Sequence, residues 1–424
     1  MNTGTTTAAQ EWRGGWKTVL AAFIGFLSFS TMIASMSAFM GPLAEEFGWS
    51  RTLLSTGTGL SSIITALLAP FLGVLMDRYG SRRLALPGLF LSAVAVVAMA
   101  TNTGSAAYWI FLWLFYAVGG LFVNTPVWTA AVAGIFNRSQ GLALAVTLAG
   151  ATAAHAIMPP LSVLLIGWFG WRMAFVWLGL GWRILSLVVC YLYFFDAHDR
   201  HRASAARGEQ DGATDRPDFP GLGLAEAWRS PALWQIGISI LIIMALTIGF
   251  LVHQIEILVE TGVSREMAAG LAGMAGAMGI VGKLVTGALL DRYRGNLVGG
   301  LTMGSAAVAF ALLMNDSPTS ALIVAAMLVN GYTAGAKLHI ASYLTVRYAG
   351  MRNFGKIYGM ISSLVAIGSG VGPILAGGIY DMSGGYGPFL MGGAVALAFS
   401  SLLLLLLPRY PDWTARQRNV PAMA

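Results

Sequence analysis

The chain has 424 residues, of which 57% are hydrophobic and only 10% charged. A soluble domain carries about 25% charged residues, so this composition excludes a soluble enzyme or binding domain and leaves a polytopic membrane protein with room for about twelve helices of ~20 residues. The net charge is +7, and the single cysteine, Cys190, lies in an apolar segment, which excludes a disulfide framework or a cysteine metal cluster.

Taken in order, the apolar runs predict spans over 17–40, 52–76, 84–101, 107–136, 138–169 and 171–195. The first run is too long for a signal-peptide core. A polar, charge-rich stretch over 196–228 reads as a flexible linker. Six more spans follow at 233–259, 267–290, 297–314, 319–346, 354–379 and 388–407. The expected fold is an all-α membrane protein of twelve transmembrane helices in two six-helix pseudo-symmetric bundles. Its parts are a bundle over 1–196, a cytoplasmic linker over 197–232, a bundle over 233–408 and a cytoplasmic tail over 409–424.

All but six of the 25 lysines and arginines fall on one side of this topology. Arg51, Arg172 and Arg265 lie on the other side, and Arg183, Lys283 and Lys337 lie within spans. That bias places both termini in the cytoplasm, with the chain in a plasma (bacterial inner) membrane. It also accounts for the basic balance without a nucleic-acid partner.

An internal repeat is readable at an offset of 214 residues. Gly73-x-x-x-Asp77-Arg78 recurs as Gly287-x-x-x-Asp291-Arg292, Arg138 and Gly141 as Arg352 and Gly355, Pro159 as Pro373, and Gly170 as Gly384. Shared register across separate features predicts two six-helix halves in parallel repeat.

The run Gly73-Val-Leu-Met-Asp77-Arg78-Tyr79-Gly80-Ser81-Arg82-Arg83 reads as a charged turn between spans 2 and 3, with Gly80 permitting the reversal. Its pattern closely resembles the signature loop of the major facilitator superfamily. The resemblance implies a conformational-switch loop made of Gly73, Asp77, Arg78, Gly80, Arg82 and Arg83, with Asp291 and Arg292 as its second copy. Gly170-Trp171-Arg172-Met173-Ala174-Phe175 resembles that superfamily's loop between helices 5 and 6. The stretch from Tyr343 through Arg347, Arg352, Asn353, Gly355 and Tyr358, then Gly372-Pro373 and Tyr380-Asp381, looks like helices 10 and 11 of its monocarboxylate-transporter and oxalate–formate-exchanger branch.

A phosphate loop is not supported, because Gly282-Lys283 has Ala277 where that motif needs glycine and Leu284 where it needs Ser or Thr. The glycines of Gly368-Ser369-Gly370-Val371-Gly372 fit close helix packing. No catalytic residue, cofactor or metal site is expected, so transport driven by a gradient is the default.

Ionisable groups within spans are costly and mark functional positions. Lys283 lies eight residues before Asp291, ~12 Å from the basic end, and Lys337 lies ten before Arg347, ~15 Å deep. Lys283 resembles, by its spacing, the helix-8 position where the carboxylate branch places an arginine against its substrate. The expected substrate-binding residues are Lys283, Lys337, Asn124, Trp128 and Asn330. His339 sits ~200° around the helix from Lys337. It is expected to pack or to titrate, and joins His155, His253 and Glu256 as proton-coupling candidates.

Three cations and few acids in the spans favour an organic anion. The sequence departs from its branch: span 1 lacks the expected lysine, Gly279 replaces the acid one turn before Lys283, and Val365 replaces the exchanger's second cation. The expected function is secondary active, proton-coupled transport of a small monocarboxylate or aromatic carboxylate by a membrane-embedded monomer among lipid. An exporter of drug-like or zwitterionic solutes, or a non-transporting sensor on the same fold, remains as an alternative.

Overall fold

The computed structural model describes residues 8–136, 139–195, 221–314, 318–350 and 352–411. Arg138, the linker over 196–220, the tail from 412 onward and the Asp77 side chain lie outside the described residues.

The elements are helices throughout: α1 (Ala8–Phe47), α2 (Arg51–Tyr79), α3 (Ser81–Met99), α4 (Ala106–Leu121), α5 (Thr125–Ala133), α6 (Gln140–Val176) and, after a π-helical turn (Trp177–Trp182), α7 (Arg183–Tyr193). Then come the short α8 (Leu224–Arg229), α9 (Pro231–Glu260), α10 (Arg265–Arg292), α11 (Gly295–Leu313), α12 (Ser320–Ala349), α13 (Phe354–Ser383) and α14 (Gly387–Leu405). Eleven of the described helical stretches are long and apolar enough to cross a membrane. One of them, Gln140–Tyr193, is 54 residues long and is broken at Gly170 (φ 75°, ψ 163°), so it makes two crossings and the total is twelve.

The helices sort into two compact units. The first is Met1–Asp211 with Val252–Glu256 and Ser264–Gly276; the second is Gly212–Leu251 with Ile257–Val263 and Ala277–Ala424. Between membrane helices apolar burial drives little, and small residues that let backbones approach do more. In the first unit α6 lies against α1, where a Cβ on Gly150 would strike the Phe23 carbonyl. The Trp128 ring fills the space left by Gly25, and Trp128 also meets the Phe194 ring at a tilt of 57°, with 4.9 Å between ring centroids. In the second unit the glycine run of α13 packs on α9: a Cβ on Gly372 would strike the Ala245 carbonyl, and one on Gly368 would lie 2.6 Å from the Leu241 carbonyl.

Part of the expected flexible linker is ordered. The Gly223 N–H donates to Glu226 Oε2 at 2.7 Å and caps α8, and the buried Leu222 donates to the Ala349 carbonyl at 2.8 Å. Asn353 Nδ2 donates to the Leu222 carbonyl at 2.9 Å, so this segment docks against the end of α12.

Candidate functional site

The expected charged turn after span 2 is no loop. α2 runs on to Tyr79 and α3 begins at Ser81, so the reversal is confined to Gly80, at φ 84° and ψ 160°, whose N–H donates to the Met76 carbonyl at 2.8 Å. Arg82 Nη2 donates to the Tyr191 carbonyl at 2.6 Å and its guanidinium lies 3.8 Å from the Phe195 ring centre. Arg78 lies over Tyr79, and Arg83 is exposed. Gly73 and Gly287 have no neighbour in reach of a Cβ, and Asp291 and Arg292 are exposed at the end of α10.

Lys337 and His339 lie on two faces of α12, one buried and one exposed. Lys337 is buried, and its Nζ donates to Thr247 Oγ1 of α9 at 2.6 Å. Thr247 in turn donates to the Ile243 carbonyl at 2.6 Å, so its oxygen is oriented toward the ammonium. No carboxylate lies within ion-pair distance of Lys337 among the described residues. Asn330, two turns earlier on the same face, is buried, and its Oδ1 has no hydrogen-bond partner among the described residues. His339, ~200° around α12 from Lys337, is exposed, and Lys283 of α10 is half-buried.

The close crossing of α10 and α12 sets this arrangement. A Cβ on Gly335 would fall on the Gly279 carbonyl, and one on Gly282 on that of Tyr332. Gly279 is where the branch pattern has an acid, and its backbone is what excludes a side chain from position 335. Thr286 Oγ1 also donates to Tyr332 Oη at 3.2 Å across this crossing.

A second cluster lies in the first unit. Glu256, at the end of α9, is buried and accepts from Arg51 Nη2 through Oε2 and from Arg265 Nη1 through Oε1, both at 2.7 Å. One turn back, the buried His253 Nε2 lies 2.8 Å from Ser55 Oγ of α2. The Ser55 proton goes to the Arg51 carbonyl at 2.7 Å, so Ser55 accepts from a His253 Nε2–H. Arg51 and Arg265 were absent from the expected site. The signal for them was in the sequence: Gly48-x-Ser50-Arg51 recurs as Gly262-x-Ser264-Arg265 at the repeat's own offset of 214.

Asn124 and Trp128 both make local contacts within the first unit. Span 4 breaks between α4 and α5, and Asn124 caps α5 by accepting from the Thr125 N–H at 2.7 Å. Trp128 is fully buried and donates through Nε1 to the Val123 carbonyl at 2.6 Å. His155 is half-buried on α6, where its backbone is met by Gly276 of α10. Arg183, given no role from sequence, is buried behind the π-helical turn, donates to Ser92 Oγ at 2.5 Å and lies over the Tyr116 ring. The Gly170 motif ties off the end of α1: Trp171 Nε1 and Arg172 Nη2 donate to Glu46 at 2.5 and 2.6 Å.

The family model described as Major Facilitator Superfamily matches residues 18–314 and 254–422. Monocarboxylate transporter 13 of Bos taurus is 23% identical over 399 residues, covering 92% of this chain and 89% of that protein. Monocarboxylate transporter 12 of Rattus norvegicus is 24% identical over 418 residues, covering 92% and 84%. MFS transporter asaE of Aspergillus flavus is 24% identical over 324 residues, covering 75% and 69%. Among solved structures, a bacterial homolog of the human lysosomal transporter Spinster, crystallised inward-facing and unoccupied, aligns with a TM-score of 0.67 at 16% identity over 95% of this chain and 96% of that one.

Proposed function

This chain belongs to the Major Facilitator Superfamily, a membrane transporter and not an enzyme, and from that premise we propose that it carries a small organic anion, a monocarboxylate or aromatic carboxylate, together with a proton by alternating access. The observation that carries the reading is Lys337. Its ammonium lies about 26 Å along a helix of about 45 Å, near mid-membrane, and its hydrogen-bond partner is the neutral Thr247 hydroxyl. A buried cation without a counter-charge is costly, and a bound carboxylate would offset that cost. The open Oδ1 of Asn330 on the same face would accept from a substrate hydroxyl or water. Lys283 of α10, half-buried, is a second cation in the same unit. The relatives named as monocarboxylate transporters support the substrate class.

His253 is the proton site in this reading. Glu256 is committed to two ion pairs, and His253, which bonds the Ser55 hydroxyl, is the imidazole beside that cluster; histidine is the side chain whose ordinary titration range lies nearest neutral pH. We place the protein in a plasma (bacterial inner) membrane with both termini cytoplasmic, working as a monomer. The test is uptake into proteoliposomes of a panel of labelled carboxylates under an imposed pH gradient. Accumulation of at least one acid, abolished by collapsing the gradient, is expected; flux of cationic or zwitterionic solutes alone would overturn the reading.

A further inference from the structure

We propose that Arg51 and Arg265 form a second anion-binding station, filled by the Glu256 side chain until the carboxylate of an incoming organic anion replaces it. The inference rests on the reading of the substrate as an organic anion.

The two arginines are products of the repeat. Each is the first residue of its helix, after a serine whose hydroxyl accepts an N–H of the first turn: Leu53 N–H to Ser50 at 3.1 Å, and Met267 N–H to Ser264 at 3.2 Å. Each serine follows, after one residue, a glycine in the left-handed region, Gly48 at φ 64° and Gly262 at φ 92°. Equal local geometry projects equal guanidinium groups, and both helix N-termini add partial positive charge.

The carboxylate has no such counterpart. The position 214 residues before Glu256 is Pro42. One acid from α9 therefore serves two symmetry-related cations, one oxygen to each at 2.7 Å, and leaves the trio with one net positive charge. A small carboxylate presents the same two oxygens and can occupy the same place.

Access favours exchange over a sealed pair. The Arg265 side chain is 27% exposed against 7% for Glu256, so an anion arriving from solvent meets Arg265 first. The guanidinium itself fills the space that Gly41 leaves on α1, which holds Arg265 in place when Glu256 moves away. Replacement of Glu256 would free the end of α9 from the start of α2, next to the His253–Ser55 bond.

The experiment is rescue by acetate of the purified full-length Glu256→Ala variant, read as thermal unfolding in detergent at constant ionic strength with chloride as the control anion. The variant should melt below wild type and recover with added acetate along a saturating curve, with half-effect at a concentration at least tenfold below any acetate response of wild type. Glu256→Ala/Arg265→Gln should show no recovery. Glu256→Ala/Lys337→Gln should recover as Glu256→Ala does, which separates this station from the Lys337 reading. Glu256→Gln, which keeps the side-chain shape, should lower the half-saturating substrate concentration in uptake at least threefold. An acetate response equal in wild type, Glu256→Ala and the Arg265 double variant, or unchanged half-saturation in Glu256→Gln, would overturn the proposal.

Discussion

Replacing Thr247 by valine removes one hydroxyl and almost no volume, so its effect isolates the contact with Lys337. In the native chain the ammonium donates to Thr247 Oγ1 at 2.6 Å, and both side chains are buried. Losing a hydrogen bond to a charged group, with the donor left buried, costs about 1.5–3 kcal/mol. Lys337→Met has a different consequence, since the Thr247 hydroxyl keeps its bond to the Ile243 carbonyl and the buried charge disappears. That variant should be neutral or more stable, as when a buried ion gives way to an apolar side chain. The double variant should resemble Lys337→Met, which gives a coupling energy near that of Thr247→Val alone. The assay is reversible unfolding in mixed micelles for the four proteins of the cycle, without substrate. Additive effects, with coupling below about 0.5 kcal/mol, would refute the claim that Thr247 is the ground-state partner of the charge.

Gly335→Ala should destabilise the protein by about 1–3 kcal/mol, because its Cβ falls on the Gly279 carbonyl and forces α10 from α12; Gly287→Ala, with open space around it, should change unfolding by no more than about 0.5 kcal/mol. Equal effects of the two would count against the close crossing. His253→Gln keeps a donor for Ser55 but cannot titrate, so acid uptake should stop responding to pH between about 5 and 8 while counterflow exchange persists. An unaltered pH profile would remove His253 as the proton site. Lys283→Gln should weaken carboxylate uptake and Lys283→Arg should restore part of it, since the arginine keeps the charge; equal uptake by both would assign Lys283 a packing role.

Much of the architecture is legible because membrane sequences carry few competing signals. Span positions follow from apolar runs, and the repeat offset pairs Gly170 with Gly384, both left-handed in the structure. Gly368 and Gly372 read correctly as a packing face, since they meet the α9 backbone. What the sequence did not show depended on local chemistry overlooked or on tertiary position. Asn124 and Trp128 read as one helical face, but Asn124 followed at once by Thr125-Pro126 is a helix-start signal, and the break it makes sends Trp128 into the core. The depth of Lys337 and its opposition to His339 came from helix geometry. Which of the two is exposed depended on where α9 presents Thr247, and no periodicity carries that. Arg183 was opaque for the same reason, its partners Ser92 and Tyr116 coming from α3 and α4. The need for glycine at 335 was equally hidden, since it comes from the Gly279 backbone of a different helix.

The most direct test of an anion site at Lys337 is equilibrium binding of a transported carboxylate and of its neutral amide analogue to wild type and Lys337→Gln in detergent. Removing the pairing charge should cost about 2–5 kcal/mol of carboxylate binding, partly from the substrate charge left unpaired. The acid should therefore bind the variant at least about tenfold more weakly, ~1.4 kcal/mol, while the amide is nearly unaffected. Lys337→Gln binding the acid as tightly as wild type would contradict the assignment of this buried cation to the substrate.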